Sequence, residues 1–455
     1  MNIALIVYLV FLIAIAVRSA RRVRDIPDFF VARKAASAKA VAGSLVATIL
    51  GGSAVIGAVD SGGRLGGAAS WFMITGALGL VALIPFAGRA YSHGKYALPD
   101  LVEALYGKIP RLIASLVIPV AWTGIVAAQI IAAAKLLMTF TPLDYTISAI
   151  ISAAVFTGYT LAGGQLSILR TDFMQAGLII LGLLLVAGFA LFGGIPGAEA
   201  RPLSEILQQA PAFPFNTNFS PLDLFLLVLT YGTTYTAGPD IFSRIFCAKD
   251  TATAKKAIAM AAATLVPVAF VIGFLAVYGV GLANVQGARI TAIAAQVLPA
   301  PLIPLIALAL LSVVLSSADT TLLSSSVILC GLFRLDKNKE NADGKRGLAK
   351  ARIVILLNGI VALLLALVFT DIIGTLLLAL AVYAGAFTVP ILWGLLGLRA
   401  KPKFVAAAIV AGGALALAGK LCPAGMLGSH TGDILMISAF AVNAAILALG
   451  RKRST

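Results

Sequence analysis

Long apolar runs, separated by short charged or Gly/Pro-rich segments, follow one another along the whole chain. Most are close to the ~20 residues that a helix needs to cross the ~30 Å hydrocarbon core of a bilayer. The pattern therefore predicts an all-α integral membrane protein with about thirteen transmembrane helices. The runs lie near 2–17, 40–61, 71–91, 112–139, 144–163, 172–194, 222–241, 257–283, 300–333, 353–370, 372–397, 404–421 and 433–450.

Two of the predicted helices contain residues that interrupt a helix. Gly51 and Gly52 fall near the middle of the second run, and Gly232, Gly238 and Pro239 fall in the seventh. Glycine weakens a helix, and proline removes one of its hydrogen bonds. Interrupted helices at corresponding places in two halves of a membrane protein indicate a secondary transporter with inverted repeats. The alternative is that these glycines only allow helices to pack closely.

The ninth run ends in a polar stretch, LSVVLSSADTTLLSSS. On a helix Val313, Ser316, Ser317 and Thr320 share one face, with Asp319 at its edge. A carboxylate at membrane depth is costly, so it is a functional-site hypothesis by default. This face is the first candidate for binding chemistry.

Composition agrees with a membrane protein and excludes several other classes. The chain is 60% hydrophobic and 11% charged, with a mean hydropathy of +1.03. Three cysteines lie in separate regions without metal-ligand spacing, and no nucleophile–base pair or phosphate loop appears, so we expect no enzyme. The first run lacks a basic leader, and we interpret it as a retained helix and not a signal peptide.

The net charge of +16 would suggest a nucleic-acid partner in a soluble protein, but here it sets topology, and we expect no nucleic acid. Segments on one predicted side of the membrane hold 29 of the 34 basic residues. Since basic loops stay in the cytoplasm, we predict a cell-membrane protein, plasma or inner, with its N-terminus outside and its C-terminus inside. The outer segments hold only Arg64, Arg201, Arg289 and Lys420, and Lys135 lies within a helix.

Five stretches, in this order, resemble the sodium:solute symporter family. They are IPDFFVARK, YALPDLVEALYGK, LAGGQLSILRTDFMQ, GPDIFSRIFCAKD and SSADTTLLSSS, and the last is most similar to the choline-transporter branch. The resemblance implies a leucine-transporter-like core of two inverted five-helix repeats within one transporter domain. It would divide the chain into an N-terminal helix and loop (1–39), repeat 1 (40–194), repeat 2 (222–397) and two C-terminal helices (398–455).

The resemblance also implies a sodium site between the two repeats. By matching motif positions, Ala47, Leu50 and Val313 would supply backbone carbonyls, and Ser316 and Ser317 their hydroxyls. Neutral oxygens suit Na⁺, a hard cation that must also be released.

Some family members use a second sodium, and the matching positions here are Asp172, Asp319 and Thr320. A carboxylate stands at Asp319 where the family pattern has a hydroxyl. Two nearby carboxylates repel each other unless a cation or proton joins them. The site is therefore predicted to hold a second cation, with Ser316 shared, or a proton. In the alternative, Asp172 only caps a helix and Asp319 makes structural hydrogen bonds.

The solute would lie beside the broken helices, and the candidate residues are Gly51, Ser53, Gln129, Tyr231, Thr234 and Tyr235. A quaternary ammonium needs an aromatic cage. Because Ile49, Ala127 and Gly238 stand at the corresponding positions, a choline-like solute is disfavoured. We expect a compact solute, such as an organic anion or an amino acid.

These observations predict a Na⁺-coupled symporter that works by alternating access, with one or two sodium ions, as a monomer or weak oligomer in a lipid bilayer. Two alternatives remain. One is proton coupling through Asp172 and Asp319, and the other is a transporter-like sensor that regulates a separate partner.

Overall fold

The computed structural model describes residues 2–192, 203–280, 288–332, 344–369, 372–422 and 431–452, and within these ranges the chain is helical without a β-strand. The α-helices are α1 (Asn2–Ala20), α2 (Ile26–Val31), α3 (Ala38–Ile49), α4 (Ala58–Asp60), α5 (Gly62–Leu65), α6 (Trp71–Leu83), α7 (Ala87–His93), α8 (Leu98–Tyr106), α9 (Lys108–Phe140), α10 (Tyr145–Leu191), α11 (Leu203–Gln209), α12 (Pro221–Leu227), α13 (Thr233–Ala237), α14 (Pro239–Ile245), α15 (Thr251–Tyr278), α16 (Arg289–Val297), α17 (Ile303–Leu332), α18 (Gly344–Val368), α19 (Ile372–Leu395), α20 (Pro402–Leu421) and α21 (Thr431–Leu449). Short 3₁₀ turns cover Ala32–Lys34, Gly66–Ser70 and Ala300–Leu302, and π-helical turns cover Ser53–Gly57 and Val228–Gly232.

Nine helices in the described ranges are long and apolar enough to cross a membrane, or ten if one bent pair is a single span. The number of about thirteen transmembrane helices stays a prediction. Part of the difference lies in α10, which joins the predicted runs 144–163 and 172–194. Its 47 residues correspond to ~70 Å of helix, more than twice the core of a bilayer. Gly164, with φ 53° and ψ −154°, bends the chain between the two parts.

Both predicted interruptions are present, and each has a π-helical turn close to it. In the second run α3 ends at Ile49, and the π-turn Ser53–Gly57 follows at a bend of 54°. In the seventh run α12 passes into the π-turn Val228–Gly232, and the short helix α13 follows. The chain then becomes extended at Gly238. Single π-turns within helices are frequent at functional sites. The two breaks give each half of the molecule one discontinuous helix.

The helix α17 lies in the centre of the described fold and packs against α3, α9 and α10. Every side chain from Ala309 to Ile328 is buried, including those of the polar stretch. Buried polar groups must find hydrogen-bond partners. The serines, threonines and Asp319 of α17 therefore interact with neighbouring helices, with each other or with a bound ion.

Contacts between connecting segments agree with the predicted alternation of sides. The amide of Ala36 donates to the Cys247 carbonyl (2.9 Å), which joins two segments predicted to lie inside. The Asn218 side chain donates to the Arg64 carbonyl (3.2 Å), which joins two segments predicted to lie outside. These contacts support the relative sidedness of the segments.

Replacing Gly164 tests the bend in α10. A Cβ atom there would lie 2.5 Å from Phe29 Cδ2, and the positive φ disfavours other residues. We expect Gly164→Ala to destabilise the protein by about 2 kcal/mol or more, measured as a lower midpoint of thermal unfolding in detergent. Gly158→Ala, on the same helix with no atom within 4 Å of its Cβ, is the control and should be nearly neutral. Equal midpoints for the two variants would contradict the bend.

Candidate functional site

The broken end of α3 meets two serines of α17. The last carbonyls of a helix lack amide partners, because no further helical turn follows them. Here the Ser316 hydroxyl donates to the Ala47 carbonyl (2.9 Å), and the Ser317 hydroxyl donates to the Thr48 carbonyl (2.8 Å). All four residues are buried. The break thus leaves carbonyl oxygens in the core, and α17 supplies hydroxyls to them.

The predicted first sodium ligands lie around this contact. The Ser316 hydroxyl is also 3.4 Å from the Val313 carbonyl, so Ala47, Val313 and Ser316 form one oxygen cluster. Leu50 is the C-terminal cap of α3, with φ −74° and ψ 48°. Ser317 contacts Thr48, a residue that the sequence did not single out. The donor set is made of neutral oxygens, which suits Na⁺.

Gly51 fits tightly against this cluster. A Cβ atom at this position would lie 2.5 Å from Ser317 Oγ, closer than any side chain allows. The missing side chain therefore gives α17 room to approach the break. Gly51 was predicted to contact solute, and the structure places it against the Ser317 hydroxyl.

A fully buried ion pair lies beside the oxygen cluster. Arg244 of α14 places Nη2 3.4 Å from Asp172 Oδ2 of α10, and neither side chain is exposed. Ser44 of α3 donates to the same carboxylate oxygen and accepts from Arg244 Nε at 3.1 Å. Arg244 Nη2 also donates to Thr320 on α17. Four helices thus converge on one guanidinium.

The two carboxylates of this region keep one free oxygen each. Within the described residues, Asp172 Oδ1 and Asp319 Oδ2 are buried and have no hydrogen-bond partner. With both carboxyl groups ionised, one arginine leaves the cluster with a net charge of −1. An uncompensated buried charge is costly. The arrangement can therefore accept a cation or a proton.

One interpretation of these residues was wrong. Asp172 does not cap a helix, because it lies in the interior of α10. Arg244, one of the basic residues counted towards the predicted cytoplasmic side, is buried against Asp172 and does not lie in an exposed loop. Its only sequence signal was its place in the family-like element GPDIFSRIFCAKD.

Thr48 connects the two regions. Its carbonyl accepts from Ser317 at the first site, and its hydroxyl lies 3.3 Å from that of Thr320. The Thr320 hydroxyl donates to the Ser316 carbonyl (2.7 Å) and lies 3.3 Å from Asp319 Oδ1. The oxygen cluster and the charged cluster are thus neighbours on the same pair of helices.

Among the predicted solute residues, Gln129 lies at the break. Its Oε1 accepts from the amide of Gly52 at 3.2 Å, and its side chain is buried. This contact satisfies an amide that the break leaves without a helical partner. The side chain of Ser53 lies outside the described part of the structure.

The tyrosines form a second group. The rings of Tyr231 and Tyr235 meet edge to face at 5.0 Å, and that of Phe72 on α6 meets Tyr231 at 5.8 Å. A Cβ at Gly76 of α6 would lie 3.3 Å from the Tyr235 ring. The Thr234 hydroxyl donates to the Thr230 carbonyl (2.6 Å), as threonines in helices commonly do. This group therefore faces α6, and no hydrogen bond joins it to Gln129 within the described residues.

Comparison with known proteins gives a family model and one relative. The model of the Sodium:solute symporter family matches residues 29–409. A sodium/proline symporter of Haemophilus influenzae is 27% identical over 235 residues, which are 48% of this chain. The chain spans 44% of the length of that relative.

Two solved structures share the fold. One is a Na⁺-coupled sialic acid symporter in a substrate-bound, outward-open state, described as revealing a novel Na⁺ site. It superposes with a TM-score of 0.79 at 20% sequence identity, and the match covers 100% of this chain and 98% of the symporter chain. The other is Mhp1, a nucleobase-cation-symport-1 family transporter in a closed conformation with bromovinylhydantoin bound. It superposes with a TM-score of 0.57 at 16% sequence identity, and the match covers 94% of this chain and 95% of the Mhp1 chain. The fold is that of the inverted-repeat, leucine-transporter-like transporters.

The buried ion pair can be tested by a double-mutant cycle. Arg244→Ala leaves the Asp172 carboxylate without its cation, and we expect a loss of about 3–5 kcal/mol of stability, seen in thermal unfolding in detergent. Adding Asp172→Asn removes the charge, so the double variant should recover a large part of that loss. Strictly additive effects would show that the two side chains do not interact.

Proposed function

Because the chain belongs to the sodium:solute symporter family, we propose that it is a transporter and not an enzyme, and that it couples the inward movement of Na⁺ to the uptake of a small organic solute. Similarity to a sodium/proline symporter and to a Na⁺-coupled sialic acid symporter supports this proposal. Transport proceeds by alternating access.

The observation that carries the proposal is the contact between the α3 break and α17. The carbonyls of Ala47 and Val313 and the hydroxyl of Ser316 come from two helices that belong to different predicted repeats. A Na⁺ ion bound among them holds those helices together. A ligand shifts a conformational equilibrium only through its differential affinity for the two states. Na⁺ therefore favours the conformation in which the two repeats touch here.

The charged cluster is proposed as the second coupling site. Asp172 Oδ1 and Asp319 Oδ2 have no partner in the described structure, and one positive charge would neutralise the cluster. A second Na⁺ and a proton both fit this requirement. Each cation moved inward gains about 2.3 kcal/mol per 100 mV of membrane potential. A second cation would therefore raise the driving force for uptake substantially.

The solute is proposed to be a compact carboxylate-bearing molecule, either an organic anion or an amino acid. Proline and sialic acid, the solutes of the two relatives, both carry a carboxylate. We assign the solute path to the surroundings of the two breaks. Its residues are Gly51, Ser53, Gln129, Tyr231, Thr234 and Tyr235.

We place the protein in the cell membrane, with the N-terminus outside and the C-terminus in the cytoplasm. The distribution of basic residues carries this orientation. A monomer or weak oligomer is expected.

Counterflow in proteoliposomes tests the proposal. Screened against small solutes that include L-proline, the protein should transport at least one of them only when Na⁺ is present. Ser316→Ala and Ser317→Ala remove hydroxyl ligands, and each should raise the Na⁺ concentration for half-maximal uptake at least about tenfold, which corresponds to 1.4 kcal/mol. Ser152→Ala is the control, because within the described residues that hydroxyl donates only to the Ser148 carbonyl, in its own helix. Equal transport without Na⁺ would refute the central claim.

The variant Asp319→Asn distinguishes a second site that binds Na⁺ from one that binds a proton. If it holds Na⁺, the variant should lose one Na⁺ from the transport stoichiometry, and the sigmoidal dependence of uptake on Na⁺ should become hyperbolic. If it holds a proton, the variant should lose the dependence of uptake on external pH instead. Asp144→Asn, at an exposed helix start, is the charge-matched control. A variant with unchanged stoichiometry and unchanged pH dependence would show that Asp319 binds neither.

A further inference from the structure

A small cavity of about 10 Å³ lies next to the charged cluster, on its predicted inner side. This is about the smallest space that holds one water molecule. Gln165 at the bend of α10, Ser243 of α14 and Ser324 of α17 line it together with apolar residues. Three helices thus each contribute one polar residue to a space of molecular size.

The polar groups of the cavity can hold a water molecule. Gln165 Nε2 is buried and has no hydrogen-bond partner within the described residues. The Ser324 hydroxyl donates to that of Ser243 (3.3 Å), and its own oxygen can accept a further hydrogen. A water molecule that accepts from Gln165 and donates to Ser324 satisfies the buried amide.

One residue connects the cavity with the charged cluster. The Ser243 hydroxyl accepts from Arg244 Nη1 at 3.0 Å, and Arg244 Nη2 lies 3.4 Å from Asp172 Oδ2. Ser243 therefore lies both at the cavity and at the arginine of the proposed second cation site. Hydroxyl and water oxygens are ligands that suit Na⁺.

An aromatic pair, Phe30 and Tyr96, lines the cavity from two segments that are predicted to lie inside. The two rings meet edge to face at 6.1 Å, and Phe30 is buried whereas Tyr96 is partly exposed. The inner segments are also held together, because the amide of Ala36 donates to the Cys247 carbonyl and that of Lys249 donates to the Ala36 carbonyl (3.2 Å). The aromatic pair therefore lies between the cavity and the inner surface.

We propose that this cavity is a hydrated station on the inward path of the coupling cation, and that Phe30 and Tyr96 close it on the cytoplasmic side. The proposal rests on the proposed function in that the cation is the one assigned to the second site. A cation that leaves Asp172 passes Ser243 and meets water there. A bare ion is costly in an apolar surrounding, so these oxygens lower the cost of release.

Silver labelling tests the cavity without requiring transport. In the full-length protein with its three native cysteines replaced by alanine, we would introduce Ser324→Cys in the cavity or, as the control, Ser325→Cys, whose native side chain contacts Asn358 instead. Ag⁺ is a monovalent cation close to Na⁺ in size, and it replaces the thiol proton to form an Ag–S bond. We expect Ser324→Cys to react at least about tenfold faster than Ser325→Cys, because a dry site adds the cost of desolvating the ion.

The rates are measured in detergent, in nitrate buffer free of Na⁺ and chloride, as the loss of thiols that can be titrated after unfolding. Equal rates at the two positions overturn the proposal.

The aromatic pair is tested in the same background. Phe30→Ala and Tyr96→Ala each remove a ring that closes the cavity, and at least one should raise the Ag⁺ rate at Ser324→Cys about tenfold. Phe30→Leu keeps most of the side-chain volume and should change the rate little. A slow reaction at Ser325→Cys in the same backgrounds shows that the variants are folded. A rate at Ser324→Cys that responds to neither alanine variant overturns the proposed closure.

Gln165 variants test the hydration of the cavity. Gln165→Leu should slow the Ag⁺ reaction at Ser324→Cys about tenfold, because an apolar cavity of this size stays dry. Gln165→Glu keeps polar oxygens at this position and should not slow it. Equal rates for the two variants overturn the hydrated station.

Transport then connects the cavity with the coupling cation. Gln165→Leu should lower the maximal rate of Na⁺-driven uptake without raising the Na⁺ concentration for half-maximal uptake, because release is impaired and binding is not. An unchanged maximal rate overturns the proposal. A failure of Na⁺-dependent counterflow in the unmodified protein would refute the proposed function and leave the silver results unaffected.

Discussion

The carbonyl oxygens at the broken end of α3 are the feature on which the rest of the site depends. A helix that stops inside a membrane protein leaves these oxygens without amide partners, and no bulk water reaches them. The hydroxyls of Ser316 and Ser317 satisfy two of them. A bound Na⁺ would replace the hydroxyl hydrogens as the partner of the same oxygens. With the proposed ion bound, the break would thus be satisfied as it is without the ion, which a reversible binding site requires.

The proximity of the two proposed cation sites gives a physical basis for their coupling. Thr48 and Thr320 contact each other, and each also belongs to one of the oxygen networks. A shift of α17 relative to α3 would therefore disturb both sites at once. Arg244 adds a constraint from α14, because it contacts Ser44, Asp172 and Thr320 together. If both proposed sites bind cations, occupancy at one would then change the geometry of the other, which is the requirement for thermodynamic linkage.

Apolar runs and glycine breaks are local patterns, and they predicted the all-helical fold, the end of α3 and the interruption after α12. Arg244 could not be placed in the same way. Its partners Asp172 and Thr320 are more than 70 residues away in the chain, and the rule that assigns basic residues to the cytoplasm uses only sequence neighbours. The burial of a charge is decided by tertiary contacts, which no local pattern contains.

The solute residues show a second limit of sequence patterns. The predicted faces of a helix assume 3.6 residues per turn. The π-turn Val228–Gly232 has more residues per turn, so the side chains that follow it are rotated about the helix axis relative to the predicted face. Tyr231 and Tyr235 accordingly pack against each other and towards α6, whereas Gln129 contacts the α3 break. The helix face assigned to Tyr235 from a regular period therefore does not carry across the π-turn.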